Sequence, residues 1–369
     1  MDAESWTALL SADPVPWILA SAEPGARWLA LTALLGRPND DPEVAEAHAA
    51  VLADPLVADL LGRLAPWDTE IPLSGHDRLE FAPNLIGLLA DMGVTAEDEP
   101  RIADVLRSML EHQDDDGRFL ALGRWRTLDE PVWGALPCDF FAITETLTRA
   151  GLADDPRVKR ALARIAGDLA ETAQGQGWLC VPDPRIQFRG PGRKTDMCPQ
   201  ITLEALRAFS YVAPGRRPPE VVEAGRVSLR VWRERGGAKP YMFGHGRQFK
   251  RGKWPATWYS ALEVVDTLGR YPELWDDPEA DAEDRRALAE IAACLVAYNF
   301  DLQGRVVPRS TFRGYEQHSF GQKTVASPIA TARVAVALRR VDSLASEIAE
   351  VDVLQLSSSR GGTGVALPP

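Results

Sequence analysis

Cysteine is scarce in this chain: Cys138, Cys180, Cys198 and Cys294 are the only four in 369 residues. So few do not make the disulfide framework of a secreted domain, which leaves each as a core residue, a ligand or a nucleophile. Long apolar runs are missing too. None reaches the roughly 18–20 residues that cross a bilayer, so no integral membrane segment is expected. The stretch Met1-Asp2-Ala3-Glu4-Ser5 lacks the basic start of a secretory signal, and the expected location is cytoplasmic. Positive charge is in deficit: 41 Lys and Arg face 53 Asp and Glu, a formal net charge of −12. General nucleic-acid binding, which wants a basic face, is disfavoured. Strand patterns are thin; Val306-Val307 and Tyr241-Met242-Phe243 could supply short hairpin pieces at most.

What is present is helix punctuation. The 28 prolines and 29 glycines are spread along the chain, and 45% hydrophobic residues allow a sizeable core. From residue 77 a unit recurs. Pro83, Pro137, Pro199, Pro255 and Pro328 each open an apolar stretch, as a residue lacking an N–H does in a first helical turn. Amphipathic stretches near Arg101, Pro156, Pro219 and Arg286 lie between them, and glycine turns follow. Buried helix, polar helix and turn at a repeating period predict stacked helical pairs. Closed into a ring, such pairs need no polar capping repeats. The expected fold is all-α, an α/α toroid over 73–345, with a helical N-terminal lead-in at 1–72 and a disordered tail at 346–369.

One stretch draws attention within this pattern: Gly192-Arg193-Lys194-Thr195-Asp196-Met197-Cys198-Pro199. It places Asp196 and Cys198 at the mouth of the helix that Pro199 opens. There the dipole favours anions and lowers a thiol pKa. The plainer expectation is an N-capping Asp beside a packed Cys.

With these stretches in view the chain resembles the terpenoid cyclase and protein prenyltransferase superfamily. The turn from Gln113 to Phe119 looks like a degenerate Gln-Trp repeat. Leu136-Pro137-Cys138, Gly151 to Val158 and Thr195-Asp196-Met197-Cys198 are similar to a bacterial group of prenyltransferase and squalene-oxidase repeat proteins. The resemblance implies the toroid, an isoprenoid substrate and zinc held by an Asp-x-Cys pair, matched here by Asp196 and Cys198. The histidine that completes such a site has no counterpart on the following helix, and His245 lies in the loop before it. The acidic run Asp114-Asp115-Asp116 falls in a turn rather than on an inner helix, so a cyclase acid does not carry over to it.

Three constellations could carry chemistry. Cys138, Asp196 and Cys198, with His245 or His318, form a donor set that zinc accepts, and the same three are the catalytic candidates. The alternative is small core residues beside prolines. Arg193, Lys194, Arg247, Lys250, Arg251 and Lys253, together with Arg185, Arg189, Arg305, Arg309, Arg313 and Lys323, fill acid-poor loops ahead of three inner helices. They would bind an anionic head group at a cavity mouth, or else be solvated loops. Trp254, Trp258 and Tyr259, with Trp125, Trp133, Phe140, Phe141, Phe312, Tyr315 and Phe320, would line an apolar wall or belong to the core. Asp139, Glu145 and Glu204 form a reserve acid/base set. The expected partner is a small anionic and apolar molecule. The expected function is a prenyltransferase- or terpene-cyclase-like enzyme; the alternatives are a non-catalytic binding protein and a sugar-active α/α barrel.

Overall fold

Proline in the first turn starts most of the helices, where its missing N–H leaves no hydrogen bond unmade. The computed structural model describes residues 5–72, 75–124, 129–181, 183, 190, 192–277 and 280–356. Its helices are α1 (Val15–Leu19), α2 (Pro24–Leu29), α3 (Pro42–Leu52), α4 (Pro55–Arg63), α5 (Ala82–Asp91), α6 (Pro100–Glu111), α7 (Pro137–Leu147), α8 (Pro156–Gly167), α9 (Pro199–Ser210), α10 (Pro219–Arg233), α11 (Arg247–Arg251), α12 (Ala261–Leu268), α13 (Ala282–Asn299), α14 (Pro328–Arg340) and α15 (Ala345–Ala349). Asp41, Asp54, Asp155 and Asp281 cap α3, α4, α8 and α13 by accepting a first-turn N–H. The protein is helix-rich, as an all-α chain should be.

Five short strands were not foreseen. β1 (Ile71–Pro72) runs parallel to β2 (Ala121–Arg124), with Ile71 opposite Gly123. β3 (Val132–Gly134) pairs antiparallel with β2, Ala121 facing Gly134. β4 (Ala170–Thr172) and β5 (Gly175–Gly177) form a separate hairpin. They tie loops together at helix ends and carry little of the core. Val306 takes part only in an isolated bridge to Phe300.

Neighbouring helices follow one order: α5 beside α7, α7 beside α9, α9 beside α12, α12 beside α14, and α14 beside α2. The far end of α5 meets α2 again. Gly93, at φ +95°, has the Trp28 ring where a Cβ would stand, and its carbonyl lies 3.0 Å from His48 Nε2. Apart from α2, these helices are mostly buried; α9 hides all but Arg207 and Ser210. By contrast α8 buries one stripe, Val158, Ala161, Leu162 and Ile165, and packs outside α7 and α9. Within the 1–72 segment, α2 packs on α14 and approaches the end of α5. Trp6 is fully buried and donates its backbone N–H to Asp342. Ordered chain also continues past residue 346, with Ile348 of α15 buried. The remaining tail, 357–369, is outside the described residues.

Four of the five mouth prolines stand in a first turn as expected; Pro255 does not. Residues 254–260 stay non-helical because Gln200 Oε1 accepts the Tyr259 N–H at 2.6 Å, and Ser260 becomes the N-cap of α12. The turn from Gln113 to Phe119 bends through Gly117, at φ +87°. Its Gln113 side chain donates to the carbonyls of Gly117 and Arg157, at 2.9 and 2.8 Å, joining one helical pair to the next.

Candidate functional site

Helices α2, α5, α7, α9, α12 and α14 all contribute residues to one cavity of about 480 Å³, a volume ordinary for small-molecule sites. Its apolar wall includes Trp28, Ile86, Trp254, Phe320, Ile329 and Val336. Its polar wall holds five arginines, Arg149, Arg207, Arg270, Arg333 and Arg340, against the carboxylates of Asp91, Glu145, Glu263 and Asp266; Glu97 also lines it but is solvent-exposed.

The helix positions bring these groups together. Asp91 ends α5, Glu145 is in the last turn of α7, Arg207 in the last turn of α9, and Glu263 and Asp266 are on α12. Arg149 follows α7 in a π-helical turn, and Arg333 and Arg340 are on α14. Arg207 holds Glu145 at 2.6 Å and also pairs with Glu263. Arg333 pairs with Asp91 and reaches Glu263 at 3.5 Å. Arg149 Nη2 donates to Asp91 at 2.6 Å. Arg340 Nε donates to Asp266 at 2.8 Å, and Arg270 lies 3.5 Å from the same carboxylate. Glu263 is thus shared by two arginines that each keep a second carboxylate.

Burial and charge push these groups apart. Burial raises the Glu263 carboxyl to about 7, with Asp266 and Glu145 adding repulsion that Arg207 only partly offsets. Asp266 is equally buried, but Arg270 and Arg340 outweigh burial and hold it well below the usual carboxylate range. Burial, aided by Arg340, lowers Arg333 to about 10. Arg207 is buried as well, yet Glu145 and Glu263 secure its charge. A carboxyl poised near neutrality beside permanent cations can exchange a proton and bind an anion at one place.

The expected site residues lie elsewhere. Of the nine expected binding residues, only Trp254 lines the cavity; Arg193, Lys194, Arg247, Lys250, Arg251, Lys253, Trp258 and Tyr259 do not. Lys250 is buried with its ammonium 4.9 Å from the Tyr298 ring, and the Lys253 ammonium sits 3.6 Å from the Phe312 ring. Tyr259 is a core residue whose hydroxyl lies 3.0 Å from His245 Nε2. Phe320 lines the cavity, whereas Phe140, Phe141 and Tyr315 are core. Of the reserve acids, Glu145 reaches the cavity. Asp139 instead accepts the Gly75 N–H at 2.9 Å, and Glu204 bonds Gln200 at 2.7 Å, its carboxyl pushed far up by burial. Arg185, Arg189 and Trp125 lie outside the described residues.

The helix mouth corrects two expectations. Cys198, not Asp196, is the N-cap residue of α9 and makes no side-chain cap. Burial pushes its thiol up to about 12, the reverse of an activated cysteine, and Cys138 is raised still more firmly for the same reason. Asp196 is a latch between loops. It accepts from Gln174 Nε2 at 3.1 Å, Arg193 Nε at 2.9 Å and the Tyr241 N–H at 2.9 Å. Burial and the nearby Arg235 and Lys239 lower His245 to about 3. Among the described residues no three His, Cys, Asp or Glu side chains are grouped to hold a metal, so the set Cys138, Asp196, Cys198 and His245 is not assembled as one.

The arginine–carboxylate network is hidden in the sequence because all but one of its pairs join residues more than 50 positions apart. A signal was nevertheless present: Asp91, Glu145, Arg207 and Glu263 each stand eight residues after Pro83, Pro137, Pro199 and Pro255. Four charged residues at one position of a repeating apolar helix are a mark of an inward polar layer. No helix among the described residues is long and apolar enough to cross a membrane. Neither a protein-family model nor a curated protein matches the chain.

Proposed function

We propose that the chain is an α/α toroid whose central cavity binds a small molecule with an apolar body and an anionic head, isoprenoid diphosphates being the class implied by the superfamily resemblance. The order α2–α14–α12–α9–α7–α5 and the return of α5 to α2 support the ring. The arginine layer opposite an apolar wall in one cavity carries the ligand class. Arginines would grip the head through charge-assisted bonds, and Trp28, Ile86 and Phe320 would cover the tail. Glu263, populated in both protonation states near neutral pH, could give a proton to the ligand or take one from it.

The test is titration with geranyl diphosphate, read by tryptophan fluorescence because Trp28 and Trp254 line the cavity. Wild type should bind at micromolar concentration, and Arg207→Gln should bind about tenfold or more weakly, one charge-assisted bond's worth. Equal binding by both proteins would sink the proposal. Release of diphosphate from the bound ligand would separate an enzyme from a binding protein.

A second reading has its own observation behind it. Asp91, Glu145, Glu263 and Asp266 face one cavity, and paired carboxylates are what glycoside hydrolysis uses. The arginine pairing of each carboxylate favours anion binding instead. Saturable binding of a neutral oligosaccharide, with none of geranyl diphosphate, would reverse that order.

A further inference from the structure

Glu263 occupies a position where each of its partners also touches a second carboxylate. Its side chain is 3% exposed and lies between Arg207 of α9 and Arg333 of α14. Remove it, and Arg207 keeps Glu145 while Arg333 keeps Asp91. The other two carboxylate–arginine groups differ. Arg340 and Arg270 both depend on Asp266, and Arg149 depends on Asp91. Glu263 is therefore the shared carboxylate whose removal leaves every arginine here still touching one, but with five arginines facing three carboxylates, an excess of positive charge that an incoming anion would offset.

We propose that Glu263 is a built-in stand-in for the ligand's anionic head, which takes its place between Arg207 and Arg333 while Glu263 picks up a proton from solvent. The proposal rests on the cavity reading above and deepens it by naming the subsite and its coupling to pH. The physical argument is one of competition. Two guanidinium groups that hold a buried carboxylate have donor geometry suited to another planar or tetrahedral oxyanion. Once that anion is in place, a neighbouring ionised Glu263 would face it at close range with its partners taken. Protonation removes the repulsion and leaves a carboxylic acid able to donate to the anion.

The surroundings leave Glu263 as the group able to switch: on α9, Glu204 is bonded to Gln200 and its carboxyl is pushed far up by burial, and on α14, Arg340 holds Asp266 while Arg339 reaches the Ala33 carbonyl. On its own helix Asp266 is held ionised by Arg270 and Arg340. From α7 comes Glu145, bonded to Arg207 by both Nε and Nη2. From α5 comes Asp91, tied to Arg149 and Arg333. The charged side chains of α13 are bonded away from it, Asp284 to Arg226 and Arg233 of α10, Arg285 to Glu347 of α15, and Glu290 to Trp232 of α10. On α11, Lys250 turns to the Tyr298 ring, Arg247 is exposed, and Arg251 lies beside Arg247 and Arg309. The raised titration of Glu263 agrees with the geometry and places the exchange near neutral pH.

The experiment uses octane-1-sulfonate, whose head keeps one negative charge at every pH used, with octan-1-ol as the headless control. Calorimetric titration at pH 8 in two buffers of different ionisation heat counts protons taken up per ligand bound. Wild type should take up about one proton, and its affinity should fall by up to about tenfold per pH unit above the Glu263 titration. Glu263→Gln should bind at pH 8 at least as tightly as wild type, take up no proton and lose the pH dependence. Arg207→Gln should bind the sulfonate about tenfold or more weakly while keeping octanol. Sulfonate binding without proton uptake, or a Glu263→Gln profile identical to wild type, overturns the exchange and leaves the cavity reading standing. If neither sulfonate nor octanol binds, both fall.

Discussion

Two basic regions of this acidic protein behave in opposite ways. The segments ahead of α9 and α12 carry two short clusters, Arg193 with Lys194 and Arg247 with Lys253, and all four side chains are solvent-exposed. The cavity layer gathers Arg207 from α9 and Arg333 and Arg340 from α14, each partly buried and paired with a carboxylate. The first region is conspicuous in the sequence and weakly held in the structure. The second is dispersed in the sequence and coupled in the structure. Exposed charge is screened and gains little from a partner, whereas buried charge must be balanced at close range. Clustering along the chain is therefore a poor guide to electrostatic consequence in a fold built from repeats.

The sharpest way to break this comparison is to remove a cation from each region. Arg207→Met strips a shared partner from Glu145 and Glu263 at once. Breaking a buried pair from one side costs about 3–5 kcal/mol, because the charge left behind has lost its solvent and its partner. Urea unfolding should show a loss of that order. A loss under about 1 kcal/mol would mean that water enters the layer freely and that the inner arginines are no more coupled than the loop ones.

A second measurement sharpens the contrast by pH. The folded-state pKa of Glu263, about 7, is above its ordinary 4.5. Below 4.5 the group is protonated whether the chain is folded or not, and its contribution is fully present. As pH rises toward 7 the unfolded chain ionises first, so wild-type stability is lost across that window. Glu263→Gln cannot ionise and should gain on wild type between pH 5 and pH 7.5, by at most about 3 kcal/mol. Asp266 has the opposite sign: its pKa is depressed, so its contribution is present above the unfolded value and fades as pH falls. A stability difference between Glu263→Gln and wild type that stays flat across this range would deny Glu263 its special place.

These contrasts also mark what could be read from the chain. Helix starts were legible at Pro83, Pro137, Pro199 and Pro328 because a first-turn proline is a local property. Pro255 misled because what governs residues 254–260 is Gln200, 59 residues before its bonded partner Tyr259. Cys198 misled for a related reason. Position at a helix mouth argues for a reactive thiol, but burial is a tertiary property and burial won. The inner layer was legible only through register, by comparing the same position in successive units, and not through any motif.

The smallest expected effect belongs to the loop cation that the sequence made most prominent. Lys253 is exposed, and its ammonium lies 3.6 Å from the Phe312 ring centroid. At an exposed site that contact is worth about 0.5–1 kcal/mol. Lys253→Ala should therefore destabilise by no more than that in urea unfolding. It should also leave geranyl diphosphate binding within about twofold of wild type, since the residue does not line the cavity and long-range attraction is screened beyond about 8–10 Å at ordinary salt. The outcome that counts is the ratio to Arg207→Gln measured in the same buffer. A tenfold loss for Lys253→Ala, persisting at 0.5 M salt, would bring the mouth loops into the binding site and make the two basic regions one. A twofold loss that vanishes with salt would leave Lys253 a steering charge, with the grip on the ligand belonging to the arginines of the inner helices.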